Sequence, residues 1–172
     1  MIAIRREAPG DEAAIRAVHT AAFPTGAEAQ LVDAMRANGH ATVSLVALLD
    51  DRIVGHVSFS PVTIRTPDRA AVHVTGLGLA PIGVLPECQG QGIGSRLITE
   101  GLTDCAREDV DFVVVLGEPS WYRGFGFERA DARELGNEYG ATDAFMVLEL
   151  RSGALGGVRG LVRYGAEFRL VA

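Results

Sequence analysis

The sequence predicts an α/β fold, a mixed and mostly antiparallel sheet flanked by helices, in one domain over residues 1–172. Three observations carry that prediction. A strand, two helices and a hairpin can be read in the first sixty residues. Phe112-Val113-Val114-Val115-Leu116 is a continuous apolar run, the pattern of a strand covered on both faces. An amphipathic helix stands between that run and an earlier extended segment, which makes a βαβ unit with a right-handed crossover. With 48% hydrophobic and 22% charged residues in 172, the chain can bury one full core.

Element by element, Ile2 to Arg6 opens as a strand. Pro9 and Asp11 then signal a helix start with Asp11 as its N-cap. Ile15, Val18, His19 and Ala22 recur at helical spacing and face the core. Phe23-Pro24-Thr25-Gly26 breaks that helix. A second one over residues 27–37 runs through Leu31, Val32 and Met35, and Asn38-Gly39 closes it. Residues 42–49 and 53–59 are strands around the turn Asp50-Asp51-Arg52. Residues 63–72 read as a loop with one short strand, and 73–85 as a long extended segment. Pro81 within it cannot donate to a ladder, so a bulge or splay is expected there. Ile93, Leu97, Ile98, Gly101, Leu102 and Cys105 share one helical face. Further on, 144–150 reads as a strand and the tail adds one around 161–164, free to pair across a homodimer.

Composition excludes several functions. A net charge of −6 argues against nucleic acid as a partner. All 16 basic residues are arginine, and the absence of lysine excludes Schiff-base chemistry and a Walker-type phosphate loop. Cys88 and Cys105 are too few for a disulfide framework or a zinc site, and no metal is expected. Cys105 reads as a small core residue, and Cys88 as an inert thiol ahead of the glycines. No apolar run approaches the roughly 20 residues of a membrane span. The N-terminus lacks the order of a signal peptide, so a cytoplasmic protein is expected.

One stretch carries most of the functional information: Pro86-Glu87-Cys88-Gln89-Gly90-Gln91-Gly92-Ile93-Gly94-Ser95, opening the central helix. Glycines at alternate positions let successive N–H groups turn inward together. The helix start adds unpaired N–H groups and the positive end of its dipole. Together they cradle a phosphate or pyrophosphate without a basic side chain. The Rossmann pattern fails, because its third glycine position is occupied by Ser95. What remains is Gln89-x-x-Gly92-x-Gly94 after a bulged strand.

Here the chain resembles the GNAT superfamily of acyl-CoA N-acyltransferases, whose signature is Q/R-x-x-G-x-G/A at this strand-to-helix junction. Downstream, Trp121-Tyr122-Arg123-Gly124-Phe125-Gly126-Phe127 is similar to that family's aromatic-Tyr-x-x-x-Gly-Phe element. The resemblance implies a GNAT-type fold with a bulged, splayed central strand, acetyl-CoA as acyl-donor co-substrate, and transfer of its acetyl group to a primary amine. It implies that backbone groups of Ile82, Gly83 and Val84 hold the pantetheine arm and face the thioester carbonyl. Gln89, Gly90, Gln91, Gly92, Ile93, Gly94 and Ser95 would hold the pyrophosphate. Tyr122 occupies the position of the general acid that protonates the departing thiolate. Phe125 and Phe127 read as core residues and Gly126 as a turn former.

The general base stays open among Glu118, Glu28 and a water relay. His19, His40, His56 and His73 each have a bland reading, His19 as a satisfied core histidine. Only Gly117-Glu118-Pro119-Ser120 separates the buried strand from Trp121, which resembles a branch of small bacterial acetyltransferases with undefined substrates. No cofactor contact is assigned to that short segment. Phe23 to Ala27, Thr63 to Val72 and Gly136 to Thr142 are the loops expected to build the pocket for a small-molecule, protein or aminoacyl amine. The alternative function is a catalytically silent acyl-CoA-binding domain.

Overall fold

The computed structural model describes residues 1–172. Its contacts divide into two compact units, residues 1–60, 80–104 and 166–172, and residues 61–79 and 105–165. Two strands and one helix run through both.

The first unit contains β1 (Ile2–Arg6), α1 (Glu12–Ala22), α2 (Ala27–Ala37), β2 (Val43–Leu49) and the start of β3 (Arg52–Arg65). It also holds the end of β4 (Gly76–Val84) and most of α3 (Ile93–Arg107). β1 pairs antiparallel with β2, and β2 with β3. Asp50 and Asp51 both take positive φ, 49° and 67°, as a two-residue hairpin turn between Leu49 and Arg52 requires. Asp11 stands at the N-cap of α1 as expected but does not cap it. Its carboxylate instead accepts from the Ala8 N–H at 2.8 Å and binds Arg5 at 2.7 Å.

β3 is longer than its sequence suggests, running through Pro61 to Arg65. The residues expected to loop from Thr63 are held as strand because β9 (Gly160–Arg163) pairs with them. The register break also lies on β3, where Val54 is the extra residue between the pairs Ala47–Gly55 and Leu48–Ile53. The carbonyl of Val54 accepts from the N–H of Leu85, just past the end of β4, at 2.8 Å. β3 shows two chemistries by alternation. A Cβ on Gly55 would meet Leu97 and Ile93 of α3, and one on Gly101 of α3 would meet Phe59. On the other face, His56, Ser58 and Ser60 are buried polar residues.

In the second unit the parallel ladder of β4 with β5 (Phe112–Leu116) covers three residues, Gly76–Gly78 against Phe112–Val114. It stops ahead of Pro81. β5 pairs antiparallel with β8 (Phe145–Glu149), and β8 with β6 (Glu128–Arg129). Phe112, Val113, Val114 and Val115 are buried, whereas Leu116 is 39% exposed, so the apolar run is covered on both faces except at its last residue. A core of Phe112, Val114, Leu135, Phe145, Val147 and Val162 fills this unit. β9 lies between β3 on one side and β7 (Leu135–Asn137) on the other. The tail strand is thus used within the chain and leaves no free edge for the dimer pairing expected of it. No helix is long and apolar enough to cross a membrane.

Candidate active site

The glycine segment follows β4 through a short 3₁₀ turn, Pro86–Cys88, in which Cys88 is buried. Gly90 and Gly92 have φ of +77° and +81°, and a Cβ on either would meet nothing within 4 Å. Glycine is therefore required at these positions by backbone conformation, not by crowding. Gly90, Gln91 and Gly92 are exposed, and α3 begins directly after them with 15 residues. The first N–H groups of such a helix have no partner within it. Open space, inward-turning amides and a helix start fit a pyrophosphate.

The flanking residues have different parts. Ile93 buries its side chain, and Gly94 and Ser95 are half-buried in the first turn, leaving these residues their backbone N–H groups for a ligand. Gln89 donates its side-chain amide to the Val84 carbonyl at 3.0 Å, which ties the loop to the end of β4. On β4, Ile82 and Val84 are half-buried and Gly83 is buried. A Cβ at Gly83 would come within 2.9 Å of His19 Nδ1 and 3.5 Å of the Ala22 methyl, so α1 lies directly against that glycine.

His19 opens a polar chain that crosses the interior of the first unit. Its Nε2 is 2.8 Å from His56 Nδ1, and His56 Nε2 is 2.8 Å from Ser44 Oγ. Ser44 donates to Glu7 Oε2 at 2.7 Å, and the other oxygen of Glu7 accepts from Arg36 Nε at 2.7 Å. His19 and His56 have no exposed surface, and Ser44 is buried. Burial depresses both imidazoles, His19 to about 4 and His56 well below its usual value, with the charges of His19 and Arg36 adding to the effect on His56. Both rings are therefore neutral at neutral pH.

The far end fixes the direction of every proton in the chain. A carboxylate only accepts, so Ser44 spends its hydrogen on Glu7 and its oxygen accepts from His56 Nε2–H. His56 Nδ1 then carries a lone pair, which accepts from His19 Nε2–H. His19 Nδ1 is left as a lone pair, buried and without a hydrogen-bond partner. The bland reading of His19 as a satisfied core histidine holds for only one of its nitrogens.

Tyr122 belongs to the second unit, on the short helix α4 (Pro119–Arg123). It is 5% exposed and stands in an aromatic cluster with Trp121, Phe125 and Phe127. A Cβ on Gly117 would fall 2.3 Å from its ring, so that glycine sets the ring's position. Burial pushes the phenol up to about 12, above its usual value. Glu118, one candidate base, is exposed and caps α4, accepting from Ser120 N–H at 3.3 Å and Ser120 Oγ at 3.1 Å. Glu28, the other, is half-buried in the first turn of α2, with Oε1 buried and without a hydrogen-bond partner. His40 binds Glu167 of the C-terminal 3₁₀ turn (Ala166–Leu170), and His73 is exposed.

A glycine cradle at the start of a central helix, preceded by a strand whose ladder with its parallel neighbour stops early, defines a site for a ligand that carries a pyrophosphate. Residues 3–130 match the model of the acetyltransferase (GNAT) domain family. The chain is 38% identical over 167 residues to the uncharacterized N-acetyltransferase YhbS of Escherichia coli K12, covering 96% of this chain and 97% of that one. The crystal structure of the E. coli YhbS in complex with CoA superposes with a TM-score of 0.89 at 36% identity, over 98% of this chain and 92% of that one. A GNAT acetyltransferase from Brucella melitensis, solved with acetyl-CoA, gives 0.78 at 36% identity over 98% of both chains. The chain belongs to the GNAT acetyltransferase family.

Proposed function

We propose that this protein moves the acetyl group of acetyl-CoA to a primary amine by direct attack of the amine on the thioester. The observation that carries the reading is the cradle, two positive-φ glycines over open space at a helix start. Two relatives at 36% identity were solved with CoA or acetyl-CoA, which supports the same donor here. Gly90, Gln91, Gly92 and the N–H groups of Ile93, Gly94 and Ser95 hold the pyrophosphate, with Gln89 fastening the loop. Backbone groups of Ile82, Gly83 and Val84 hold the pantetheine arm, and an N–H aimed at the developing oxyanion lowers the barrier by a few kcal/mol.

In the reaction the neutral amine adds to the thioester carbon, the tetrahedral intermediate expels the thiolate as the C–S bond breaks, and the nitrogen loses one proton while the thiolate gains one. Tyr122 supplies that last proton. At about 12 its phenol stays protonated across the range in which the fold is used, so the donor form is always present. Burial that raises the phenol raises a buried thiolate as well, which keeps transfer between them feasible. The whole chain acts as one acetyltransferase domain, and the family match over residues 3–130 supports this because it runs through both compact units. The acceptor is a small-molecule, protein or aminoacyl amine, and the setting is the cytoplasm.

The test is acetyl-CoA thiol release over a panel of primary amines, with Tyr122→Phe alongside. Amine-dependent release that falls about 10²-fold in kcat in the variant supports transfer and the acid role. Release unaffected by the variant removes Tyr122 from that role. CoA binding with no turnover on any amine replaces the enzyme with the silent acyl-CoA-binding domain.

A further inference from the structure

We propose that Glu7, Ser44, His56 and His19 form a buried proton relay that accepts the amine's proton at His19 Nδ1, through one bridging water, and discharges it at Glu7. This rests on the acetyl-transfer reading and supplies the base that reading leaves open.

The geometry supports it in three ways. Every link is at hydrogen-bond distance, 2.8, 2.8 and 2.7 Å, and every hydrogen points toward Glu7. The one unpaired terminus, His19 Nδ1, lies over Gly83 of β4, in the segment assigned to the thioester arm. Glycine at 83 lets the β4 backbone lie directly against that lone pair, where any side chain would collide with the ring. The other terminus reaches the surface, because the Glu7 side chain is 13% exposed. An orphaned imidazole nitrogen in a folded core is destabilising, a cost that a ligand's proton donor removes.

The transfer balances link by link. The amine N–H bond breaks and its proton arrives at Nδ1 through the water, which gains one proton and gives up another. His19 passes its Nε2 proton to His56 Nδ1. His56 passes its Nε2 proton to Ser44, and Ser44 passes its own to Glu7. Neither ring carries a net charge at the end, which suits two imidazoles held neutral by burial. Glu7 then releases the proton to solvent, and the starting tautomers return when the same hops run backward after the product leaves, Glu7 taking a proton from solvent and His19 Nδ1 giving its own to water. The titratable and charged groups facing the rings are the two imidazoles themselves, Glu7 and Arg36. Ser58 and Ser60 lie on the same face of β3 as His56 and bury hydroxyls without protein partners.

The experiment is Ser44→Ala, which cuts the relay between His56 and Glu7 by removing one oxygen. Thiol release is followed from pH 6.5 to 9.5 on an amine that the wild type uses, with Ser44→Thr and Glu28→Gln as companions. The expected result is a kcat about 10²-fold lower at pH 7, an unchanged KM for acetyl-CoA, and a deficit that shrinks as pH rises and the amine arrives already neutral. Ser44→Thr, which keeps the hydroxyl, restores most of kcat. A pH-independent loss, a loss that Ser44→Thr does not rescue, or a normal kcat overturns the relay. So does a pH-dependent deficit found in Glu28→Gln and not in Ser44→Ala. A wild type that releases no CoA with any amine overturns the transfer reading itself, and the relay with it.

Discussion

The glycine cradle and the histidine chain, both in the first unit, solve opposite problems. The cradle is exposed and made of backbone, and its key positions touch nothing. The chain is buried and made of side chains, and its histidines have no exposed surface. An exposed anion-binding loop needs amides held in place, because water already satisfies them before the ligand arrives. A buried proton path needs partners at every atom, since each unpaired polar group in a core costs stability. The proposed function therefore assigns the hold on the donor to the cradle, and the proposed relay assigns proton removal to the chain. Each can be damaged without damaging the other.

Gly83, on the strand that leads into the cradle, lies against His19 Nδ1 at the end of the chain, and Gly83→Ala is the change with the largest expected effect. The new methyl would stand 2.9 Å from His19 Nδ1, closer than real Cβ contacts allow, so the strand or the ring must move. Displacement of that order at a reacting centre lowers kcat about 10²-fold. Steady-state kinetics should show kcat falling while KM for acetyl-CoA also rises. A variant with wild-type constants would separate β4 from both functions.

Gly92→Ala sharpens the comparison from the other side. It has open space but a φ of +81°, so its cost is backbone strain, roughly 1–2 kcal/mol. KM for acetyl-CoA is expected to rise about tenfold with kcat little changed. An equal loss in kcat would mean that the cradle also positions the reacting atoms.

The smallest effect is on stability against pH. Unfolded histidine takes a proton below about 6.5, whereas folded His19 does so only near 4. The unfolded state binds more protons in that window, so stability is full above about pH 6.5 and is lost as pH falls toward 4. His19 alone accounts for about 2 kcal/mol of loss by pH 5, or roughly 4–8 °C in Tm for a chain of this size. Thermal melts of the wild type and His19→Gln at pH 5 and 7.5 check it. The pH dependence should be weaker in the variant.

The contrast also explains what could be read from the sequence. The cradle is contiguous, and its glycines announce a conformation that side-chain residues avoid, so Gln89 to Ser95 were identifiable as a unit. The helices of residues 12–22 and 27–37 were equally clear from their 3.6-residue spacing. β3 was underestimated because its last residues, 63–65, are held by β9, about a hundred positions away. Shorter separations, 37, 12 and 37 positions across its three links, hid the relay. Glu7, His19, Ser44 and His56 come from separate elements, and each alone looks ordinary. The one available signal was His56-x-Ser58-x-Ser60, polar residues alternating on a strand whose other face is Gly55, Val57 and Phe59. Glu118, left open in sequence between a candidate base and a helix-start charge, stands at the start of α4 and caps it.

The most direct test of the account is to measure kcat and KM for acetyl-CoA at pH 7 for Gly92→Ala and Ser44→Ala side by side. The account predicts a KM defect in the first, a kcat defect in the second, and little crossover between them. Two variants impaired in the same constant would contradict the division of labour between cradle and relay.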